Sequence, residues 1–464
     1  MLQLRSQPKS PVVELLTLAI PTVFQMASYT VMQFIDTLML SRIGATEATA
    51  GGNAGLFAFS IVSFGVGLLL VVNTLASQAF GRNEPRDCGR YLWQGIWFSF
   101  FAGLALLPAL PFGKPFFASM GHAPELAAAE AVYLRIVLML MAVKLLGTAM
   151  GQFLLATDRP RQVLLATIGG VSTNALAAWV MIFGHFGLPR MGIAGSAWGQ
   201  NVGMILETSM LLFFVLRSPY RQKYHLADWK LRKTYMTTLL RIGAPAGAQL
   251  IADVLAWSLF GMWVMAQFGT RAMAAHTFML RYMVVSFMPA FGVGSAVTAL
   301  VGRYIGRGQP DVAAQRARLG FQLTALYMVT CGLLFFVARR PLIGLFTSDP
   351  EILRIGAMLL VFAAVYQFFD ALYIIYNGAL RGAGDTFVPA VATALLCWGI
   401  IVFGGYTLAR LAPQFGPAGP WTLASVYGVI LGLFMYRRFA RGNWRRIHLE
   451  QQPTADTVPA LNLS

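Results

Sequence analysis

Hydrophobic positions along this chain come in long unbroken runs rather than in alternation with polar ones. Residues 51–80, 91–113, 162–183, 319–338, 386–409 and 411–436 contain no Asp, Glu, Lys or Arg. A helix needs roughly 20 such residues to cross a bilayer. Lipid offers backbone amides no partners, so runs of this length predict helices that satisfy their own hydrogen bonds. With the less pure stretches between them, the pattern predicts twelve spans. They fall near 12–35, 48–76, 91–112, 128–150, 161–184, 192–216, 235–267, 272–302, 317–338, 355–378, 386–409 and 415–436. The first is too long for a signal-peptide core and reads as a retained span.

The twelve are two imperfect copies of six. Residues 76–85 read ASQAFGRNEP and 301–310 read VGRYIGRGQP. A shared Gly-Arg-x-x-Pro starts at Gly81 and at Gly306, and Pro124-Glu125 is echoed by Pro350-Glu351. Pro21 and Pro245 sit early in the first span of each copy. Self-similarity at half the chain length indicates duplication. Six spans return the chain to its starting side, so the copies share one orientation about an axis along the membrane normal. The expected division is a first lobe over 1–225, a second over 226–440 and a cytoplasmic tail over 441–464.

Composition agrees: 57% of residues are hydrophobic and 11% charged, against about 25% charged in soluble domains. A formal charge of +17 suggests nucleic acid, but its distribution does not. Alternate loops, counted from the N-terminus, hold 24 Lys and Arg, the opposite loops 8, and the spans 3. That bias predicts both termini in the cytoplasm, with the basic loops facing lipid headgroups and no nucleic-acid partner. Three widely spaced cysteines, Cys88, Cys331 and Cys397, imply neither a disulfide framework nor a metal site.

Ionisable residues inside spans are costly and point to function. Asp370 shares a helical face with Tyr366, Tyr373 and Asn377, a polar stripe that lipid cannot satisfy. Asp253 follows Pro245, with Gln249 and Trp257 a turn to either side. Asp36 follows Gln25, Tyr29 and Gln33. Arg281, flanked by His276 and Thr277, has Asp253 and Asp370 as natural partners. Lys144 is expected either to pair with Asp36 or to snorkel. Glu207 divides between packing and function, and His276 reads as a hydrogen-bonded interior residue. Plentiful Met and aromatic residues suit a lumen for flat hydrophobic cations.

The chain resembles the MATE family, the multidrug and toxic compound extrusion transporters, and within it the NorM-like branch. The similarity runs over about 12–438. It is carried by ALRGAGDT at 379–386, VYQFFDALYIIYNGALRG at 365–382, GAPAGAQLIADV at 243–254, AAHTFMLR at 274–281 and FGHFGLP at 183–189. The resemblance implies an all-α integral membrane fold of twelve transmembrane helices in two pseudo-symmetric six-helix lobes. It implies export of organic cations against H⁺ or Na⁺, with no cofactor. Family carboxylates in the first, seventh and tenth helices match Asp36, Asp253 and Asp370, and a Na⁺ site would fall at Asp253 and Asp370. Asn174 matches a fifth-helix polar position. Three positions depart from the pattern. The seventh-helix acid is Asp253 rather than Glu, Arg281 replaces a polar neutral residue, and Ala178 stands where Asp or Asn is usual. Arg281 in particular implies a second lobe that favours H⁺ or is not cation-coupled.

The expected function is a monomeric antiporter of drugs and dyes in a bacterial inner membrane, surrounded by lipid. A flippase of lipid precursors is the alternative, favoured by Arg281 and Lys144 but lacking an extra pair of spans. An integral-membrane enzyme would need a reactive motif. No His-x-x-x-His, Gly-x-Ser-x-Gly, P-loop or Asp-rich prenyl-phosphate motif is present, so no enzymatic activity is expected.

Overall fold

The computed structural model describes residues 10–447 and 449; most of the expected tail lies outside them. Among the described residues every regular element is helical. The helices are α1 (Pro11–Ser41), α2 (Ala45–Gly81) and α3 (Pro85–Leu106), then α4 in two pieces (Pro124–Met139 and Met141–Ala156). They continue with α5 (Pro160–Phe183), α6 (Ile193–Leu216), α7 (Lys233–Leu259) and α8 (Gly269–Gly306). The last four are α9 (Pro310–Val337), α10 (Pro350–Ala383), α11 (Phe387–Leu396, resumed at Gly405–Leu411) and α12 (Ala418–Ala440).

Ten helical stretches are long and apolar enough to span by themselves. The two pieces of α4, bent by 49° about Leu140, make an eleventh. One of the ten, Lys233–Gly306, is 74 residues long, about 110 Å at 1.5 Å per residue. That is twice what a bilayer needs. Gly269, at φ +85°, breaks it into α7 and α8, which completes the expected twelve. The bend in α4 was not foreseen, because neither Pro nor Gly marks it. It arises where Leu140 takes φ −107°, ψ 21°, outside the helical range.

Two large buried clusters fill the two halves. Each half's first helix begins in the other half's core. Leu15, Leu18 and Ala19 of α1 pack in the second-half cluster. Tyr235, Leu239, Ile242 and Ala246 of α7 pack in the first-half cluster. Polar ties repeat the exchange. Glu14 of α1 accepts from Tyr304 of α8 at 2.8 Å and from Arg316 of α9 at 2.8 Å. Tyr235 of α7 donates to Asp87 of α3 at 2.9 Å.

The seam between the halves is tight at the end that carries residues 11, 81, 233 and 306. There Thr22 donates to the Gly292 carbonyl, Thr74 to that of Arg381 and Gln78 to that of Gly382, each at 2.9 Å. The repeated Gly-Arg-x-x-Pro motif supplies the closest crossing. A Cβ on Gly81 would collide with the Arg303 carbonyl, and one on Gly306 with the Gln78 carbonyl. Residues 78 and 81 correspond to 303 and 306 in the repeat, so the contact is reciprocal. Small residues at such crossings let backbones meet within a membrane. Burial is uneven along these helices. Phe34 near the end of α1 is 68% exposed, whereas residues 294–304 of α8 are buried throughout.

Gly306→Val places a branched side chain against the Gln78 backbone. Overpacking of this kind costs about 1–3 kcal/mol. Thermal unfolding in detergent is expected to show a lower Tm for Gly306→Val and for Gly81→Val. Gly308→Ala, beyond the crossing where a Cβ meets nothing, is expected to show only the smaller strain of its positive φ.

Candidate ion-binding site

The second-half acids come from α7 and α10, whose polar faces meet inside the bundle. Asp370 of α10 is 6% exposed. It accepts no hydrogen bond from any described residue. Asp253 of α7 accepts from the Tyr427 hydroxyl of α12 at 3.3 Å, and the two carboxylates are close enough to repel. Beside them, Tyr366 meets Trp257 edge-on, with ring centroids 6.0 Å apart. One turn before Asp253, the Gln249 amide nitrogen lies 2.9 Å from Thr393 Oγ1, 3.3 Å from Asn377 Oδ1 and 3.4 Å from Tyr373 Oη. Gln249 thereby ties α7 to α10 and α11 where the expected polar stripe runs.

Local backbone geometry supports this arrangement. Between its two α-helical pieces, α11 widens into a π segment over Cys397–Gly404. Such bulges interrupt the ordinary ladder and often mark functional sites. Here the widened turn brings Trp398 Nε1 to 3.2 Å from the carbonyl of Ala252, the residue before Asp253. His276 lies behind, 2% exposed, accepting from Trp421 Nε1 at 3.3 Å. That is the interior role expected of it.

The first half carries two polar tiers. In one, the Asn174 amide of α5 donates to Asp36 of α1 at 3.1 and 3.3 Å. In the other, Glu207 Oε1 of α6 accepts from Tyr29 of α1 at 2.5 Å and from Thr167 of α5 at 2.7 Å. Lys144 Nζ lies 5.1 Å from the centre of the Tyr29 ring. Seven residues separate Tyr29 from Asp36 and Thr167 from Asn174, two helical turns on each helix.

Three expected partners are placed elsewhere. Arg281 is exposed on α8 and forms no ion pair with Asp253 or Asp370. It pairs with neither, so the second-half acids are not neutralised by it. Lys144 forms no ion pair with Asp36 and lies over the Tyr29 ring instead. Gln33 is exposed, and the hydrogen bonds to Asp36 come from Asn174 across the interface rather than from its own helix. Sequence reasoning missed Tyr427, Trp398, Thr393 and Thr167. The seven-residue spacing shared by α1 and α5 was the available signal for the last. Among the described residues no three His, Cys, Asp or Glu cluster to grip a metal.

An all-helical bundle with carboxylates buried between its spans has the architecture of a membrane transporter. The chain belongs to the MatE family, whose model matches residues 21–180 and again 250–407, once in each half. It is similar to a probable multidrug resistance protein NorM of Brucella suis biovar 1, 29% identical over 93% of this chain and 92% of that protein. It is also similar to multidrug resistance protein NorM of Burkholderia vietnamiensis, 30% identical over 90% of each chain. The fold matches a solved structure described as the outward-facing conformation of a multidrug resistance MATE family transporter of the MOP superfamily. That match has a TM-score of 0.84 at 16% identity, covering 93% of this chain and 96% of that one.

Gln249→Leu removes the amide that joins Thr393, Asn377 and Tyr373. Leaving buried polar partners unpaired costs about 1–3 kcal/mol. A lower Tm is expected for Gln249→Leu, with Gln249→Glu intermediate because an acceptor remains for the hydroxyls.

Proposed function

We propose that this chain is a cation-coupled multidrug antiporter that exports hydrophobic organic cations, driven by H⁺ or Na⁺, through alternating access. The observation that carries the reading is Asp370, a carboxylate inside a span with no donor to hold its charge. An ionised group there is expensive, and a bound cation removes the expense. Asp253 stands beside it as the second acid, and Asp36 is the first-lobe counterpart. The names of the relatives support a drug substrate.

In this reading the loop charge bias places the tight end of the seam in the cytoplasm, with both termini, in a bacterial inner membrane. The lobes divide near residues 225 and 226. The coupling ion enters from outside, neutralises Asp370 and Asp253 and displaces the organic cation. Because α1 and α7 carry acids in their outer parts and seal the seam in their inner parts, loading the acids acts on the closed end. A ligand shifts such an equilibrium only by its difference in affinity for the two states. The acids supply that difference by changing charge.

Transport of ethidium into or out of proteoliposomes, with pH and Na⁺ gradients imposed separately, tests this. Wild-type protein is expected to exchange ethidium against one of the two gradients. Asp370→Asn and Asp253→Asn are expected to lose more than nine-tenths of that exchange. Full gradient-driven exchange by both variants contradicts the assignment.

A further inference from the structure

Glu207 is not used by the antiport scheme above, yet the structure gives it a constructed surrounding. A Cβ at Gly170 of α5 would meet the Glu207 Cβ at 2.7 Å, so α5 and α6 cross directly behind this side chain. The close crossing aims its carboxylate away from lipid and towards α1. Two hydroxyls, those of Tyr29 and Thr167, converge on Oε1 at 2.5 and 2.7 Å. No described donor reaches Oε2. One oxygen is therefore fixed by the fold, and the other can take a proton without breaking either bond.

We propose that Glu207, held by Tyr29 and Thr167 with Lys144 alongside, is a second coupling-proton site of the first lobe, two helical turns below Asp36. The proposal deepens the antiport reading and rests on it. A proton suits the site better than a metal cation. Oε2 alone is left open, which is room for one proton but not for the several oxygen ligands a metal cation gathers, and among the described residues no three His, Cys, Asp or Glu cluster there. Protonating Glu207 removes the charge that the Tyr29 and Thr167 hydroxyls hold, which weakens the tie of α1 to α5 and α6.

Other titratable groups on the elements around α6 lie outside this tier. They are Glu14 and Asp36 on α1, Glu47 at the start of α2, and Glu125, Glu130, Tyr133 and Arg135 on the first piece of α4. Arg161 begins α5, and Arg217, Arg221 and Lys223 follow the far end of α6. Glu130 is engaged separately, by His122 at 2.7 Å and Asn53 at 2.8 Å.

The test is infrared difference spectroscopy of the purified full-length protein, stepped from alkaline to acidic buffer. A protonated-carboxyl band is expected that Glu207→Gln removes and Tyr29→Phe shifts, because the latter loses one hydrogen bond to the same oxygen. A Glu207→Gln spectrum identical to wild type overturns the proposal. Should Glu207→Gln not fold, an unshifted band in Tyr29→Phe overturns it equally. In proteoliposomes moving tetraphenylphosphonium, Glu207→Gln is expected to lower the number of protons exchanged per cation, with Glu207→Asp restoring it; an unchanged ratio counts against the site. If wild-type vesicles exchange no tetraphenylphosphonium under either gradient, the antiport reading fails, while the infrared result still decides whether Glu207 binds a proton.

Discussion

A carboxylate buried among spans without a donor is the constraint on which this molecule is organised. Lipid supplies no water to solvate it, and each remedy costs something. A permanent cationic partner such as Arg281 would quiet the charge and leave nothing for a mobile ion to do. The structure withholds that partner, leaving Asp370 unbonded and Asp253 with a single tyrosine hydroxyl. The surrounding helices are shaped around this deficit. Gln249 fixes the neighbouring polar stripe, and the π segment of α11 presses Trp398 onto the backbone beside Asp253. In the proposed antiport, this unsatisfied centre is what an arriving cation would neutralise.

The second organising feature is the exchange of α1 and α7 between cores. Each helix belongs to its own lobe where it bears an acid, and to the opposite lobe where it starts. In the proposed antiport, a change of charge at Asp36 or Asp253 would act on the sealed end along the same helix, with no chain of intermediate side chains required. The two helices carry Pro21 and Pro245, which remove a backbone hydrogen bond and allow a bend between the two functions. The duplicated sequence explains why the device is built twice. The reciprocal packing of Gly81 and Gly306 explains why one short motif is written in both copies.

Much of this was legible in the sequence because lipid imposes simple rules. Length without charge reveals spans, and the offset between GRNEP and GRGQP reveals duplication. Acids inside spans reveal candidate sites, and Asp36, Asp253 and Asp370 were found in that way. What stayed hidden depends on how distant helices face one another. Arg281 was assigned to the acids because it lies at a similar depth, yet depth does not fix the side of α8 it occupies. For Lys144 the sequence leaves pairing with Asp36 and snorkelling both open, and only the fold sets its ammonium over the Tyr29 ring. Glu207 looked ambiguous because its partners, Tyr29 and Thr167, are ordinary residues on two other helices. The repeat glycines were visible as a motif, and their mutual contact only in three dimensions.

The central claim is that loading the buried acids with a cation changes which end of the seam is closed. Spin labels at Arg82→Cys and Arg307→Cys, beside the two repeat glycines, report the separation of the sealed ends directly. Distances measured by electron paramagnetic resonance during an acid or Na⁺ titration are expected to gain a longer component in the labelled, otherwise wild-type protein. The same labels in an Asp36→Asn, Asp253→Asn, Asp370→Asn background are expected to give a much weaker response. An equal response in that background, or none in either protein under both titrations, would contradict the account.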